Sequence, residues 1–287
     1  MRKSNLLLKA FGTFAFAIAG TVAAHAQEPY FITYTHQMEE PGNLEVALKS
    51  IAAPVHGGNS FVATAAEFEY GIKAWWTTEF YLDGQSTERE STVFTGYRIE
   101  NRIRPLMREH WINPVLYMEF ENINSAEKNM LEVVGHDGNA DFVDRNDRSE
   151  KKREAELKLI LSSNFKGWNI AENLIAEKNL KGAPWEFGYS FGVSRPLALK
   201  ATAQICTFCR ENLTLGAEMY GGLGDRYAFG LHDTSHYIAP VMSLHAPNGM
   251  TLKVSPGFGL NSNSHGFSMR ASVSYEFEQI ASKLRRR

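Results

Sequence analysis

The sequence predicts an all-β fold: an antiparallel barrel of twelve strands, with apolar side chains facing outward and charged ones inward. Three observations carry this. Segments of about ten residues alternate apolar and polar side chains along the chain. Their polar positions hold glycine, serine and charges of both signs, as in "EFEYGIKAWWTTEFYL" at 67–82 and "WEFGYSFGVS" at 185–194. Short turns such as "GIK" and "APNG" contrast with a long polar loop at 124–152. Because successive strand side chains point to opposite faces, each alternation assigns every residue to a side.

Residues 1–26 read as a secretory signal. Arg2 and Lys3 precede the apolar run "LLLKAFGTFAFAIAG", and "AHA" ending at Ala26 is a small-x-small cleavage site. The run falls short of the roughly 20 residues of a helical membrane span, and Lys9 interrupts it. No later window has about 18 uninterrupted apolar residues, so a membrane could be crossed only by strands. A net charge of -2 and a pI of about 6.5 give no basic bias toward nucleic acid. The mean hydropathy of -0.30 is compatible with a barrel, which exposes only every second residue to lipid.

Residues 27–42 form an N-terminal segment, in which 29–37 resembles a strand and is assigned a place near or inside the barrel. The barrel occupies 43–277, with strands at 43–53, 60–70, 75–83, 91–103, 113–123, 153–163, 168–177, 185–195, 212–222, 235–245, 250–260 and 266–277. Twelve is an even number, as bacterial barrels require. Fourteen strands, using 29–37 and "ALKATAQI", is the competing count. In "WNIAENLIAEK" the alternation breaks around Glu172, which suggests a bulge. A soluble sandwich would also alternate, but with its apolar face inward; aromatic residues clustered toward strand ends favour the inverted arrangement, with girdles at two interfaces. A basic tail, 278–287, follows.

The last strand ends in Tyr275, Glu276 and Phe277, an aromatic-x-aromatic terminus. With the signal and the alternation, this resembles the bacterial outer-membrane porin-like β-barrel proteins. The resemblance implies an outer-membrane location, contact with membrane lipid and lipopolysaccharide, delivery by the barrel assembly machinery through the C-terminal strand, and no cofactor. The chain departs from the pattern in two places: "EQIASKLRRR" follows the terminal aromatic, and Ser272 stands at the signal's glycine position. If the last strand descends to the periplasm, "GIK", "APNG" and the connection after 195 are periplasmic, and 124–152 is external.

The expected lumen-lining residues are Glu67, Glu69, Glu79, Arg98, Glu100, Arg102, Arg104, Glu119, Glu121, Glu154, Glu156, Lys158, Glu186, Glu218, Lys253, Arg270 and Glu276. Carboxylates outnumber cations among them, which favours cations in a hydrated pore. The alternative is a closed charge network that plugs a narrow barrel, where each unpaired buried ion would cost several kcal/mol. The open reading predicts a porin-like channel for small solutes, and the closed network stands against it.

Other motifs are weaker. "LHDTSH" offers His232, Asp233, Ser235 and His236 as a hydrolase site of a lipid- or peptide-cleaving barrel, but adjacent loop residues rarely adopt a triad geometry. Asp137, Asn139 and Asp141 begin like a calcium loop, yet Phe142 replaces the expected glycine and Arg148 the closing glutamate. Cys206 and Cys209, the only cysteines, suit a local disulfide in an oxidising compartment. An adhesive barrel binding a partner through its loops is a third possibility.

Overall fold

A computed structural model of the protein describes residues 28–54, 59–127, 133–135, 149–200, 206–280 and 283. The predicted signal, the calcium-like stretch around Asp137–Asp141 and most of the basic tail lie outside these residues.

Twelve strands close into one antiparallel barrel: β1 (Leu44–Ala53), β2 (Phe61–Lys73), β3 (Trp76–Thr87), β4 (Thr92–Ile103), β5 (Asn113–Asn124), β6 (Lys151–Phe165), β7 (Trp168–Asn179), β8 (Trp185–Pro196), β9 (Leu213–Asp225), β10 (His236–His245), β11 (Met250–Gly259) and β12 (Phe267–Phe277). Each strand pairs with its sequence neighbours, and β12 returns to β1 with Leu44 opposite Phe277 and Ala52 opposite Met269. The competing count of fourteen is excluded: residues 29–37 form bends and irregular backbone rather than a strand, and the "ALKATAQI" stretch adds no strand among the described residues. No described helix is long and apolar enough to cross a membrane, which has no bearing on crossing by strands.

The inverted pattern is plain in β2 and β3. Glu67 and Glu79 are 2 % exposed, whereas the alternate residues Phe68 and Phe80 are 37 % and 39 % exposed. Leu116, Met118 and Phe120 on β5, Leu157 and Leu159 on β6, and Phe267, Met269 and Val273 on β12 continue the outward apolar belt. Along β6 the outward row from Phe165 to Ala155 carries no charge; about ten rises of 3.3 Å at a tilt of about 40° span roughly 25 Å, the height of a bilayer-facing band.

The two barrel ends differ. At the end where β1 starts and β12 finishes, here the terminal end, β2–β3 and β6–β7 are joined by two-residue turns and β10–β11 by residues 246–249. A longer connection on the same end contains the disulfide between Cys206 and Cys209 and a 3-10 turn at Arg210–Asn212. The opposite, distal end carries the loop between β5 and β6. Part of that loop folds back inside: Val134 bridges Gly188, Gly135 bridges Gly224, and Val133 packs with Ile32, Tyr220 and Tyr237. Gly188 and Gly222 permit this approach, since an added Cβ would lie 2.1 Å from Val133 O and 2.3 Å from Gly135 O respectively.

Two local expectations are corrected. There is no bulge at Glu172: β7 pairs with β6 and β8 in unbroken register. What changes there is polarity, because Glu172 faces outward while Ala171 and Ile175 face in, Ala171 beneath Tyr30. Register shifts occur instead between Gly71 and Lys73, Asp83 and Gly84, and Glu186 and Gly188. Nor is "GIK" the β2–β3 turn, since β2 runs through Lys73. Gly71 serves close approach: Gly42 N–H donates to Gly71 O (2.8 Å), and an added Cβ would lie 2.1 Å from Glu40 O.

Introducing a charge into the outward belt tests its exposure to lipid. Leu159→Arg, refolded into vesicles, is expected to lose about 2–4 kcal/mol of unfolding free energy relative to the wild type, measured by denaturant titration; an unchanged midpoint would show that the belt is not lipid-facing.

Candidate functional site

The bore is built from the inward members of each alternation. Arg102, one residue from the terminal end of β4, is the hub. Its guanidinium contacts Glu69 and Glu79 at close range, Glu28 at 3.2 Å and Glu100 at 3.5 Å. Strands β2, β3 and β4 thus meet at one cation, and Glu28 brings the N-terminal segment to it. A planar, five-donor guanidinium suits several carboxylates at once where an ammonium would not. Further along β4, Arg98 donates to Asp83 (3.0 and 3.3 Å) and to Glu119 (3.2 Å), and its guanidinium lies 4.2 Å from the centre of the Tyr81 ring. Lys158 on β6 meets Glu156 at 2.8 Å and stands over Tyr117, with its Nζ 4.2 Å from the ring centre. Lys49 pairs with Glu67.

Tyrosine hydroxyls complete the network: Tyr81 donates to Glu79, Tyr117 to Glu119 and Tyr34 to Glu100 (2.9 Å). Ions removed from bulk water need this density of partners, since a single missing partner is strongly destabilising.

Residues 28–40 lie within this bore, making contacts with strands on opposite walls. The Glu218 carboxylate on β9 accepts from the backbone N–H groups of Phe31 (3.2 Å), Ile32 (3.0 Å) and Thr33 (3.0 Å). Asn173 on β7 accepts from Tyr34 N–H (2.7 Å) and donates to Tyr34 O (2.9 Å). Lys253 on β11 donates to the carbonyls of Glu28 and Tyr30, both at 3.2 Å. The segment doubles back on itself, as Thr35 N–H donates to Glu28 at 2.9 Å.

Small wall residues make room for it: a Cβ on Gly192 would lie 2.7 Å from Tyr30 Cζ, and Ala171 and Val241 pack on the same ring. On the way back to β1, His36 sits between Ser162 (2.8 Å) and Glu109 (3.0 Å). Burial holds its imidazole below the ordinary histidine value of 6.5, against the opposing pull of Glu109 and with help from Arg104.

Of the residues selected from sequence, Glu67, Glu69, Glu79, Arg98, Glu100, Arg102, Glu119, Glu121, Glu154, Glu156, Lys158, Glu218, Lys253, Arg270 and Glu276 are buried on the inward face. Glu186 is half-buried beside Gly135 of the infolded loop. Arg104 lies past the end of β4, where it donates to Leu106 O (2.8 Å) and reaches Glu109 at the terminal mouth. Sequence reasoning missed Asp83, Glu177 and Glu28. Asp83 continues the parity of Glu79 and Tyr81 and was legible; Glu177 was obscured by Glu172, which has the opposite parity. Carboxylate oxygens of Glu45, Glu67 and Glu69 lie within 4.8 Å of one another, but Lys49 and Arg102 already balance Glu67 and Glu69.

In the loop before β10, His232 and Asp233 contact each other at 2.6 Å in the open, while His236 is bonded to Thr234 (2.9 Å) and Tyr189 (3.1 Å). Among the described residues, no hydrogen bond joins the Ser235 hydroxyl to either histidine.

No protein-family model matches the chain, and no characterised protein matches it in sequence. Solved structures do match in shape. The KdgM porin superposes with a TM-score of 0.52 at 8% identity, over 82% of this chain and 99% of the porin. An outer-membrane channel from Pseudomonas putida F1 gives 0.54 at 8% identity, over 84% of this chain and 98% of that one. The chain therefore has the fold of outer-membrane porin-like barrels.

Glu218 and the space above Gly192 are the levers on the docked segment. Glu218→Ala leaves three N–H groups without their acceptor, at about 1–3 kcal/mol for each group that stays buried. Together with Gly192→Leu, it is expected to make cleavage within residues 28–40 by added protease at least tenfold faster, with the barrel intact on gels. Equal cleavage rates would show that these contacts do not hold the segment.

The histidine adds a pH dependence. A group whose pKa is lower in the docked state stabilises docking above its undocked value and loses that contribution as pH falls through the lowered one. His36 is therefore expected to favour release below about pH 6.5, against Glu28 and Glu39 of the same segment, whose carboxyls burial raises so that they favour docking as pH falls. The difference between the wild-type and His36→Gln profiles isolates the histidine, and identical pH profiles would contradict it.

Proposed function

We propose that the protein is a porin-like channel of the outer membrane that passes small solutes with a preference for cations, its conductance limited by residues 28–40. One observation carries the reading: the inward face of a closed barrel with an apolar exterior is lined by ionisable groups in which carboxylates exceed cations. Rings of carboxylates favour cation passage. Carboxylates such as Glu121, Glu154, Glu177 and Glu276 extend over both halves of the bore.

A cavity of about 40 Å³ remains beside the segment, lined by Glu45, Glu67, Glu69, Lys49 and Lys253 among others, with room for a few waters. In the docked state this is polar space beside the segment. The segment is held mainly by hydrogen bonds to wall side chains rather than by a continuous apolar core, so water can replace its contacts on release. A hydrolytic alternative draws no support from the loop before β10, where serine and histidine do not meet.

The test is conductance in planar bilayers. Wild-type protein is expected to show small, cation-selective steps, and deletion of residues 28–40 to raise the step size severalfold. Glu67→Gln combined with Glu121→Gln is expected to shift the reversal potential toward zero under a salt gradient. Silence from both the wild type and the deletion variant, with folded barrels inserted, would overturn the channel reading.

A further inference from the structure

The outward face is apolar along nearly all of its strands, and the main exception is concentrated at one place. At the distal end of β6 and β7, Lys151, Arg153 and Lys178 occupy outward positions, and Lys181 follows in the connecting turn. Register brings them together. Arg153 O accepts from Leu180 N–H at 2.8 Å, and Lys178 stands opposite Ala155, two residues further along β6. Lys181 Nζ donates to Lys151 O, which places its head at the first of the three.

Among the described residues, none of these four cations has a carboxylate partner in an ion pair. The acidic neighbour on β6, Glu154, turns into the bore and accepts from Asn179 Nδ2 at 2.9 Å. The surrounding outward side chains are polar or amphipathic: Asn122 and Asn124 on β5 lie opposite Arg153 and Lys151, and Trp185 on β8 lies opposite Lys178.

Height matters as much as sign. The patch begins where the uncharged row of β6 ends, roughly 25 Å above Phe165 and the aromatic terminal rim. That is the level at which headgroups of the distal leaflet meet the barrel wall.

We infer that this patch binds the phosphate groups of a phosphorylated glycolipid in the outer leaflet, with Arg153 as the bidentate donor and Lys151, Lys178 and Lys181 as point charges around it. The inference rests on the proposed membrane placement. Arginine forks match phosphate oxygens in pairs, and charge-assisted bonds of this kind are about twice as strong as neutral ones. The acyl chains of the same molecule would lie on Leu157, Leu159 and Leu174 directly below, all exposed. One ligand therefore matches both the charge and the apolar surface beneath it.

The experiment uses the detergent-purified, full-length barrel, mixed with a diphosphorylated lipid A-type glycolipid and read by native mass spectrometry. The comparison is the triple variant Lys151→Gln, Arg153→Gln, Lys178→Gln. Near a membrane surface each cation contributes about 1 kcal/mol, so the triple variant is expected to bind on the order of a hundredfold more weakly. A control, Lys166→Gln in the terminal turn after β6, is expected to bind as the wild type does. Glycolipid stripped of its phosphates is expected to bind no better to the wild type than to the triple variant, and inorganic phosphate at the same concentration to displace little.

Equal binding by the triple variant overturns the site, as does full retention of the dephosphorylated lipid. Complete displacement by inorganic phosphate overturns the commitment to a lipid. Barrel integrity is followed by heat-modifiable gel migration. A chain that needs no detergent and shows no such migration would overturn the membrane reading and the site with it, whereas unchanged lipid binding by an intact barrel overturns the site alone.

Discussion

Closure of β12 on β1 is the constraint on which everything else depends. A sheet exposed to hydrocarbon cannot leave a row of N–H and C=O groups unpaired, and only a closed ring removes both edges. Here the seam runs from Leu44 opposite Phe277 to Ala52 opposite Met269, and it is extended by residues beyond the last strand. Gln279 N–H donates to Asn43 Oδ1 (2.9 Å), and Ile280 N–H donates to Gly42 O (2.9 Å). The tail after the terminal aromatic, which departs from the usual pattern of outer-membrane barrels, is thus used locally to fasten the two ends of the sheet.

Closure turns every alternation into a choice between interior and exterior, and that choice sets the electrostatics. Carboxylates from β2, β3, β4, β5 and β6 all project into one narrow space. Arg102 and Arg98 are the cations that make this tolerable on the β2–β5 side, and stacking on tyrosine rings supplies them with a second kind of partner. Close-set carboxylates still repel one another in this space.

Strand number, order and facing were legible because each rests on a period of two that persists for ten or more residues in β2, β5, β6 and β12. One boundary shifted because a glycine had a second use. Gly71 reads as a turn residue from sequence, yet it is the point where the N-terminal segment crosses β2. In β7 the pattern broke because Ala171 and Ile175 face an interior that is locally occupied by polypeptide, not solvent. The charges of the bore could be read from parity, but their partners could not: the convergence of Glu28, Glu69, Glu79 and Glu100 on Arg102 depends on register between strands and on a segment with no periodicity of its own. Nothing in the sequence announced that Glu218 would be an acceptor for three successive backbone amides.

The route taken by residues 28–40 has a topological consequence. Glu28, beside Arg102, and His36, beside Glu109, both lie toward the same mouth of the barrel, and the stretch between them reaches inward to the level of Glu218 and Tyr220 before turning back. Residues 28–40 consequently enter and leave toward one mouth instead of running the length of the bore. Withdrawing them toward that mouth would leave every strand pairing of the barrel in place, as a finger leaves a glove.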